Sequence, residues 1–435
     1  MLKVVPLEVD VIKAFIYGLS SMWAFAFVQL RSIVLFILGL LVPAVSSAVE
    51  YSAQPSISLQ GVYDDNILLT TQPHPSVSSG VITPQIDLAA AMENWQIAAT
   101  GRLRSVRYSG NTGLDTNDKF LNFSSSLIKE RTQWRLSGAT FKESTLLSEN
   151  FTPDLGIVRT QTHRTTRSIA PAWSALLTEA TELKLDYQSS DVSYDKGVRG
   201  PFNDYQSNQT NLSLSNVLSS RTQIFISGSN STFEVPAAEY SSKTNSWQLG
   251  LTRDFSETLK ATLSAGGRKT TAKRVVHCDP QNLIFGLFCL VPINRVDTTK
   301  DSGSVYNLNI QKQLERTHID LTVNRGIDPS GSATQIQTNT VSFGISHDIT
   351  QSRLTAGFNA SGYRSKAIGG NAASYPARNY YLLEPSLSWR WTERLSLSGS
   401  YRRVRLKFRD SASAPVSNAI QVTISYQAPK LSVSR

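Results

Sequence analysis

From about residue 49 onward, apolar and polar residues alternate in runs that recur along the chain, and no long stretch carries a helical period. Trp95, Ile97, Ala99, Gly101 and Leu103 alternate with Gln96, Ala98, Thr100 and Arg102. Leu183, Leu185 and Tyr187 alternate with Lys184 and Asp186, and Ile319, Leu321 and Val323 with His318, Asp320 and Thr322. Leu395, Leu397, Gly399 and Tyr401 alternate with Ser396, Ser398, Ser400 and Arg402. Successive side chains of a strand point to opposite faces, so each run has one face for an apolar medium and one for a polar medium.

The connections alternate as well. Tight polar turns are expected at Glu93-Asn94, Glu130-Arg131, Thr178 to Thr181, Ser219-Ser220, Ser256-Glu257, Glu315-Arg316, Thr350-Gln351 and Thr392-Glu393. Between them lie longer segments rich in Ser, Asn, Asp and Gly, at about 64–79, 109–118, 143–161, 189–204, 232–241, 272–302, 327–335, 363–378 and 409–417. Nine long loops and eight short turns require eighteen strands, with 16 as the lower bound of the count. An even number of strands, short turns at one end and long loops at the other describe an all-β transmembrane antiparallel up-and-down barrel, turns facing the periplasm and loops extracellular.

A soluble β-sandwich or propeller also has alternating strands. Three features favour the membrane barrel. Ser, Thr, Asn, Gln and Arg hold the polar face along whole strands; many strands reach the length that crosses a bilayer at a tilt; and Trp95, Trp134, Phe255 and Trp391 each sit within three residues of a short turn, where an interfacial aromatic belt belongs. Apolar residues are 40% of the chain and charged residues only 17%, which suits two-faced strands better than the dense core of a cytosolic enzyme.

The N-terminus is expected to carry a signal peptide over 1–48. Arg31 precedes the apolar run from Ile33 to Val45, and Ser46-Ser47-Ala48 places small residues around a cleavage site. The alternative is an anchor helix, because Trp23 to Leu30 is also apolar; Met22 is an alternative start. The outer-membrane barrel then spans 49–435, with outer-membrane lipid and lipopolysaccharide as its surroundings. Two cysteines, Cys278 and Cys289, fall in one irregular stretch and read as a disulfide closing a loop of an exported protein. A metal site using His277 is the alternative, without a second pair of ligands nearby.

Catalytic signals are thin, and the chain does not read as an enzyme. His74, His163, His277, His318 and His347 form no H-x-x-x-H spacing, and no G-x-S-x-G elbow or phosphate-cradling glycine loop occurs. No cofactor is implied. His318 beside Asp320 reads as a solvated pair on the polar face rather than a proton-transfer pair. That face is expected to line a pore with Arg102, Arg104, Arg135, Lys184, Lys260, Arg268, Arg353, Arg390 and Arg402, opposed by Asp186, Asp254, Asp320 and Glu384. Fixed positive charge would enrich anions in the lumen. The net charge of +10 is scattered singly over strands without stacking aromatics, so nucleic acid is not the expected partner.

The segment Leu59-Gln60-Gly61-Val62-Tyr63-Asp64-Asp65-Asn66-Ile67-Leu68-Leu69 resembles the opening of the beta-barrel porins found with exopolysaccharide gene clusters. Thr392-Glu393-Arg394-Leu395-Ser396-Leu397-Ser398-Gly399-Ser400-Tyr401 also resembles that group, as does the close from Gln421 to Tyr426 followed by Ala428-Pro429-Lys430. The resemblance implies a barrel of about eighteen strands that carries secreted polysaccharide across the outer membrane beside a periplasmic polysaccharide-export protein. One departure stands out: many barrels end on an aromatic residue, whereas this chain continues past Tyr426 to Arg435. The alternative functions are a general or anion-preferring diffusion porin and, from another class, a barrel enzyme or adhesive scaffold acting through its loops.

Overall fold

The structure, a computed structural model, describes residues 49–434 except 72–75, 111, 149–160, 196–201, 279–282, 285–287, 290–291, 351–352, 369–376 and 409–412. The expected signal peptide over 1–48 therefore lies outside the described residues.

Strands β1 (Glu50–Asp64), β2 (Val77–Ala91), β3 (Trp95–Tyr108), β4 (Thr116–Lys129) and β5 (Thr132–Ser144) lead to a single helical turn, α1 (Thr145–Ser148). The chain continues through β6 (His163–Leu176), β7 (Thr181–Tyr194), β8 (Tyr205–Ser219), β9 (Thr222–Val235), β10 (Tyr240–Ser256) and β11 (Leu259–Cys278). The two-residue strands β12 (Leu283–Ile284) and β13 (Phe288–Cys289) pair with each other, apart from the barrel sheet among the described residues. Then follow β14 (Pro292–Gln313), β15 (Thr317–Ser330), β16 (Thr334–Thr350), β17 (Leu354–Ile368), β18 (Arg378–Arg390), β19 (Leu395–Phe408), β20 (Val416–Gln427) and β21 (Leu431–Ser434).

Eighteen of these, β1–β11 and β14–β20, pair antiparallel with their neighbours, and β20 pairs back onto β1 over Ser56–Asp64. The sheet is a closed 18-stranded barrel. Closure satisfies the backbone groups that an open edge would leave unpaired, which hydrocarbon does not tolerate. The chain beyond Tyr426 has a structural use. Ala428 N–H donates to Pro55 O at 2.9 Å, and β21 resumes the ladder against Glu50–Ala53. The break at Pro429, which has no N–H, falls beside Pro55, which also lacks one.

The outward face follows from the exposed apolar residues. Leu121 and Phe123, Trp134 and Leu136, Leu185 and Tyr187, Leu212 and Leu214, and Ile420, Val422 and Ile424 are all exposed, each pair or set at a period of two. A wall this apolar would aggregate in water and is at home in lipid. The aromatic belt stands where the sequence places it. Trp134, Phe255 and Trp391 are 53%, 57% and 61% exposed beside short turns, with Trp173 against Trp134 at 6.1 Å and Trp389 stacked on Trp391 at 5.6 Å. Trp95 Nε1 donates to Ser125 Oγ at 2.8 Å, so this indole is held on the wall by its polar edge. An all-β barrel with an apolar belt and aromatic girdle is the architecture of bacterial outer membranes, and that is where the chain resides.

The loop side departs from the sequence reading. Segments 232–241, 272–302 and 327–335 were expected as long loops, but much of each is strand: β9 and β10 are joined through Pro236–Ala238, β11 and β14 run on to Cys278 and from Pro292, and β15 and β16 meet at a turn of Gly331-Ser332-Ala333. Serine, threonine and asparagine there suggest a solvated loop. Beyond the bilayer, however, a strand needs no apolar outer face, so its polarity carries no signal.

Candidate functional site

The inner wall is the face opposite the exposed apolar residues. Near the short turns it is open: Gln96, Ala98, Asn122, Ser124, Arg135 and Ser137 alternate with the outward residues of β3–β5 and are themselves exposed. Toward the loop side the inner wall becomes buried, for two reasons.

The first is a folded-in hairpin. The β14–β15 ladder runs only from Gln313/His318 to Tyr306/Arg325, although β14 stays paired with β11 as far as Pro292 and β15 with β16 as far as Ser330/Thr334. Beyond Arg325 the β15–β16 hairpin leaves β14 and packs inside it. Gln335 and Gln337 share parity with outward Val341, yet they meet inward side chains of β10 and β11. Thr244 Oγ1 donates to Gln335 Oε1 at 3.1 Å, and Arg268 Nη2 donates to Gln337 Oε1 at 3.0 Å. At the tip, Asn203 N–H donates to Gly331 O at 3.1 Å, and Ala333 packs with Val192, Tyr194, Tyr205, Phe233, Val235, Tyr240 and Ala272. Ala333 adopts a left-handed backbone, φ 55°, a conformation that costs an L-residue about 1 kcal/mol and that this packing sustains. Arg325 holds the fork where the strands part, bonding Asn339 Oδ1 through Nε and Ser304 Oγ through Nη1 and lying 5.0 Å from the Tyr306 ring.

The second is the Tyr63-Asp64-Asp65-Asn66 segment singled out by the resemblance. Asp64 Oδ1 accepts from Asn66 N–H at 2.8 Å and from Ser417 Oγ at 2.8 Å. Asp65 accepts from both the backbone and the side chain of Asn418 at 2.7 Å. Asn66 Nδ2 donates to Thr70 O at 2.9 Å and Val416 O at 2.8 Å. These bonds clasp the connection after β1 to the start of β20, across the seam that closes the barrel. They also turn Leu69 inward, where it is buried with Tyr363, Tyr380, Val404 and Leu406. The segment is thus a clasp of the fold at the mouth.

The thirteen charges expected on the inner wall divide by height. Arg135, Lys184, Asp186, Asp254, Lys260, Asp320 and Arg390 have inward parity on the half nearer the short turns; Lys184 pairs with Asp186 at 3.2 Å and Lys260 approaches Asp254 at 3.9 Å. The Asp320 carboxylate lies over Gly344, where any side chain would collide with it. Glu384 is inward on β18, half-way up. Arg353 is corrected: it belongs to the β16–β17 turn rather than to a strand face, and its N–H donates to Thr350 O.

Higher up, three of the expected cations are matched by acids. Arg104 pairs with Asp118 at 2.7 Å, Arg268 with Asp301 at 2.7 Å, and Arg402 with Asp64 at 3.4 Å. Arg102 and Arg104 lie 4.2 and 5.2 Å from the Phe120 ring. Asp118, buried, also accepts from Thr116 Oγ1 and Ser144 N–H. Asp64, Asp118 and Asp301 are acids of the inner wall that the sequence reading missed, and all three fall in segments read as loops. Arg164, whose Nη2 donates to Tyr205 Oη at 2.9 Å, and buried Arg378 add inward cations that it also missed. The side chains of Cys278 and Cys289 lie outside the described residues; their backbones pair with Pro292 and Leu283.

No family model matches the chain, and no curated protein matches it. Solved structures similar to it include OccAB2 of Acinetobacter baumannii, at 11% identity and a TM-score of 0.43, covering 87% of this chain and 98% of that one. OpdQ of Pseudomonas aeruginosa is similar at 8% identity and a TM-score of 0.43, covering 87% and 99%. The ferric-catecholate import receptor Fiu of E. coli K12 is similar at 9% identity and a TM-score of 0.44, covering 89% and 82%.

Proposed function

We propose that the chain is a porin-type pore of the outer membrane, in which the polar inner wall conducts hydrophilic solute and the β15–β16 hairpin narrows the extracellular mouth. One observation carries this reading: eighteen strands close around an inner face that is polar and solvent-exposed along its periplasmic half. A barrel of this size is wide enough for an aqueous channel unless something fills it. Among the described residues the filling is confined to the loop side. Arg135 and Arg390, with no ion-pair partner among the described residues, draw anions into the lower lumen, while Asp320 and Asp87, also without an ion-pair partner there, and the acids of the upper wall oppose that bias.

For cargo, the proposal is a secreted polysaccharide, delivered by a periplasmic export protein. The resemblance of the Tyr63-Asp64-Asp65-Asn66-Ile67 segment to exopolysaccharide-associated porins supports this, together with a lumen whose charges are dispersed and mostly paired. Such a wall offers weak, repeated contacts, and a sliding polymer needs contacts that release it. The second reading, a diffusion porin for small anions, is favoured by the hairpin across the mouth, which a polymer must displace and a small solute need not. Deleting the gene separates the two. Polymer made but retained in the periplasm supports export; normal secretion with loss of small-anion uptake supports the diffusion porin.

A further inference from the structure

We propose that the extracellular end of the outer wall of β17–β19 is a docking surface for phosphorylated lipid headgroups of the outer leaflet. Arg364 and Lys366 on β17, and Arg403, Arg405 and Lys407 on β19, are exposed, while the residues between them, Tyr363, Ser365, Val404 and Leu406, are buried inward. The alternation aims all five cations away from the lumen. The strand register gathers them into one patch: Arg364 lies opposite Asn379 and Asn379 opposite Lys407, while Tyr381 and Leu383 of β18 lie opposite Arg405 and Arg403.

Their height is the second observation. Trp391 marks the periplasmic girdle, and Tyr381, 53% exposed, stands ten residues up the same strand. At about 3.3 Å per residue and a tilt of about 40°, this distance is roughly 25 Å, the full apolar band of such barrels. Arg405 is therefore level with the outer girdle, and Arg364 and Lys407 lie one step above it, where headgroup phosphates sit.

The third observation is the lack of compensation. On the outer wall of the opposite strands, Arg107 pairs with Asp115 at 3.7 Å and Lys142 with Asp195 at 2.9 Å. None of the five cations of β17–β19 has an ion-pair partner among the described residues. Three of the five are arginines, whose planar forks match phosphate oxygens two at a time. Lysines alone stand at the corresponding height on β10, β11 and β14 (Lys243, Lys269, Lys273 and Lys300), and they offer point charges without that fork. Arg364, Lys366 and Lys407 above Tyr381, with Arg405 and Arg403 level with Tyr381 and Leu383, complement a ligand with an anionic head and acyl chains below it.

The test uses the full-length purified barrel in detergent, titrated with bisphosphorylated lipid A, the same lipid without phosphates, phosphatidylglycerol and inorganic phosphate. Bound lipid is read by native mass spectrometry. Bisphosphorylated lipid A should be retained well above the other three. Each cation near an anionic surface contributes roughly fivefold, so replacing all five with Ser should weaken retention by about three-thousandfold. Conductance should be unchanged, because the patch faces away from the lumen. Because the comparison among ligands uses the unaltered protein, the proposal stays testable even if the fivefold variant does not assemble. Equal retention of the dephosphorylated lipid, phosphatidylglycerol bound as tightly, competition by inorganic phosphate alone, or a folded variant that retains lipid A normally would each overturn it.

Discussion

Arg268 and Gln337, 69 residues apart, are joined by a 3.0 Å hydrogen bond that ties the β15–β16 hairpin to the inner wall of β11. Arg268 is buried and also pairs with Asp301, so its guanidinium holds hairpin and wall together from one point. Replacing Gln337 by Leu removes the acceptor without removing volume. Hydrogen bonds to charged groups contribute about 1.5–3 kcal/mol, so docking of the hairpin should weaken by about that much. Faster deuterium uptake over 326–338, with the lower barrel unchanged, is the expected readout; unchanged uptake there would contradict the assignment.

The clasp at the seam gives a second prediction. Leu69 is fully buried although its φ of 48° is unfavourable for a leucine, so the Asp64–Asn66 bonds must hold it there. Leu69→Ala should destabilise the mouth by about 2–5 kcal/mol, the usual cost of truncating a buried leucine. Asn66→Ala should release the same segment by removing its bonds to Thr70 and Val416. Both variants should become sensitive to external protease after Asp64 while retaining heat-modifiable migration. Protease resistance equal to the parent's would show that the clasp is dispensable.

The barrel itself was legible in the sequence because hydrocarbon imposes a strict period: Leu121, Phe123, Leu183, Leu185, Ile420 and Val422 leave no other register. The short turns were legible for the same reason, since each interrupts that period. The upper wall was not. Above the bilayer the constraint lapses, so Asp118 and Asp301 looked like loop residues although both sit on strands. The hairpin could not be read at all. Gln335 and Gln337 keep outward parity, and only a long-range departure of β15 from β14 turns them inward. For the same reason the charge surplus expected of the lumen was too large.

Selectivity should therefore follow the unpaired cations. Arg135→Ser with Arg390→Ser should lower anion preference in a salt gradient, and the effect should grow at low ionic strength, where the screening length is about 30 Å at 0.01 M. Arg104→Ser should change selectivity less and stability more, because it leaves buried Asp118 without its cation. Reversal potentials distinguish these outcomes. A larger selectivity change from Arg104 than from Arg135 and Arg390 together would contradict the division by height.

Orientation and redox state are checked on cells. A tag inserted at 196–201 should be labelled from outside intact cells, and a tag at Glu130-Arg131 only after permeabilisation. Reversed labelling would invert the barrel. Protein from the native compartment should carry a Cys278–Cys289 bond by peptide mass analysis; two free thiols would remove it from the account.

Single-channel recording decides whether the proposed channel is narrowed by its own hairpin. The parent protein in planar bilayers should show small, steady openings. A variant in which 327–336 is replaced by a short glycine-containing turn should show markedly larger conductance and retain the same sign of selectivity. Equal conductance in the two proteins would mean that the hairpin does not restrict the path, and no conductance in either would mean that the lumen is not a pore.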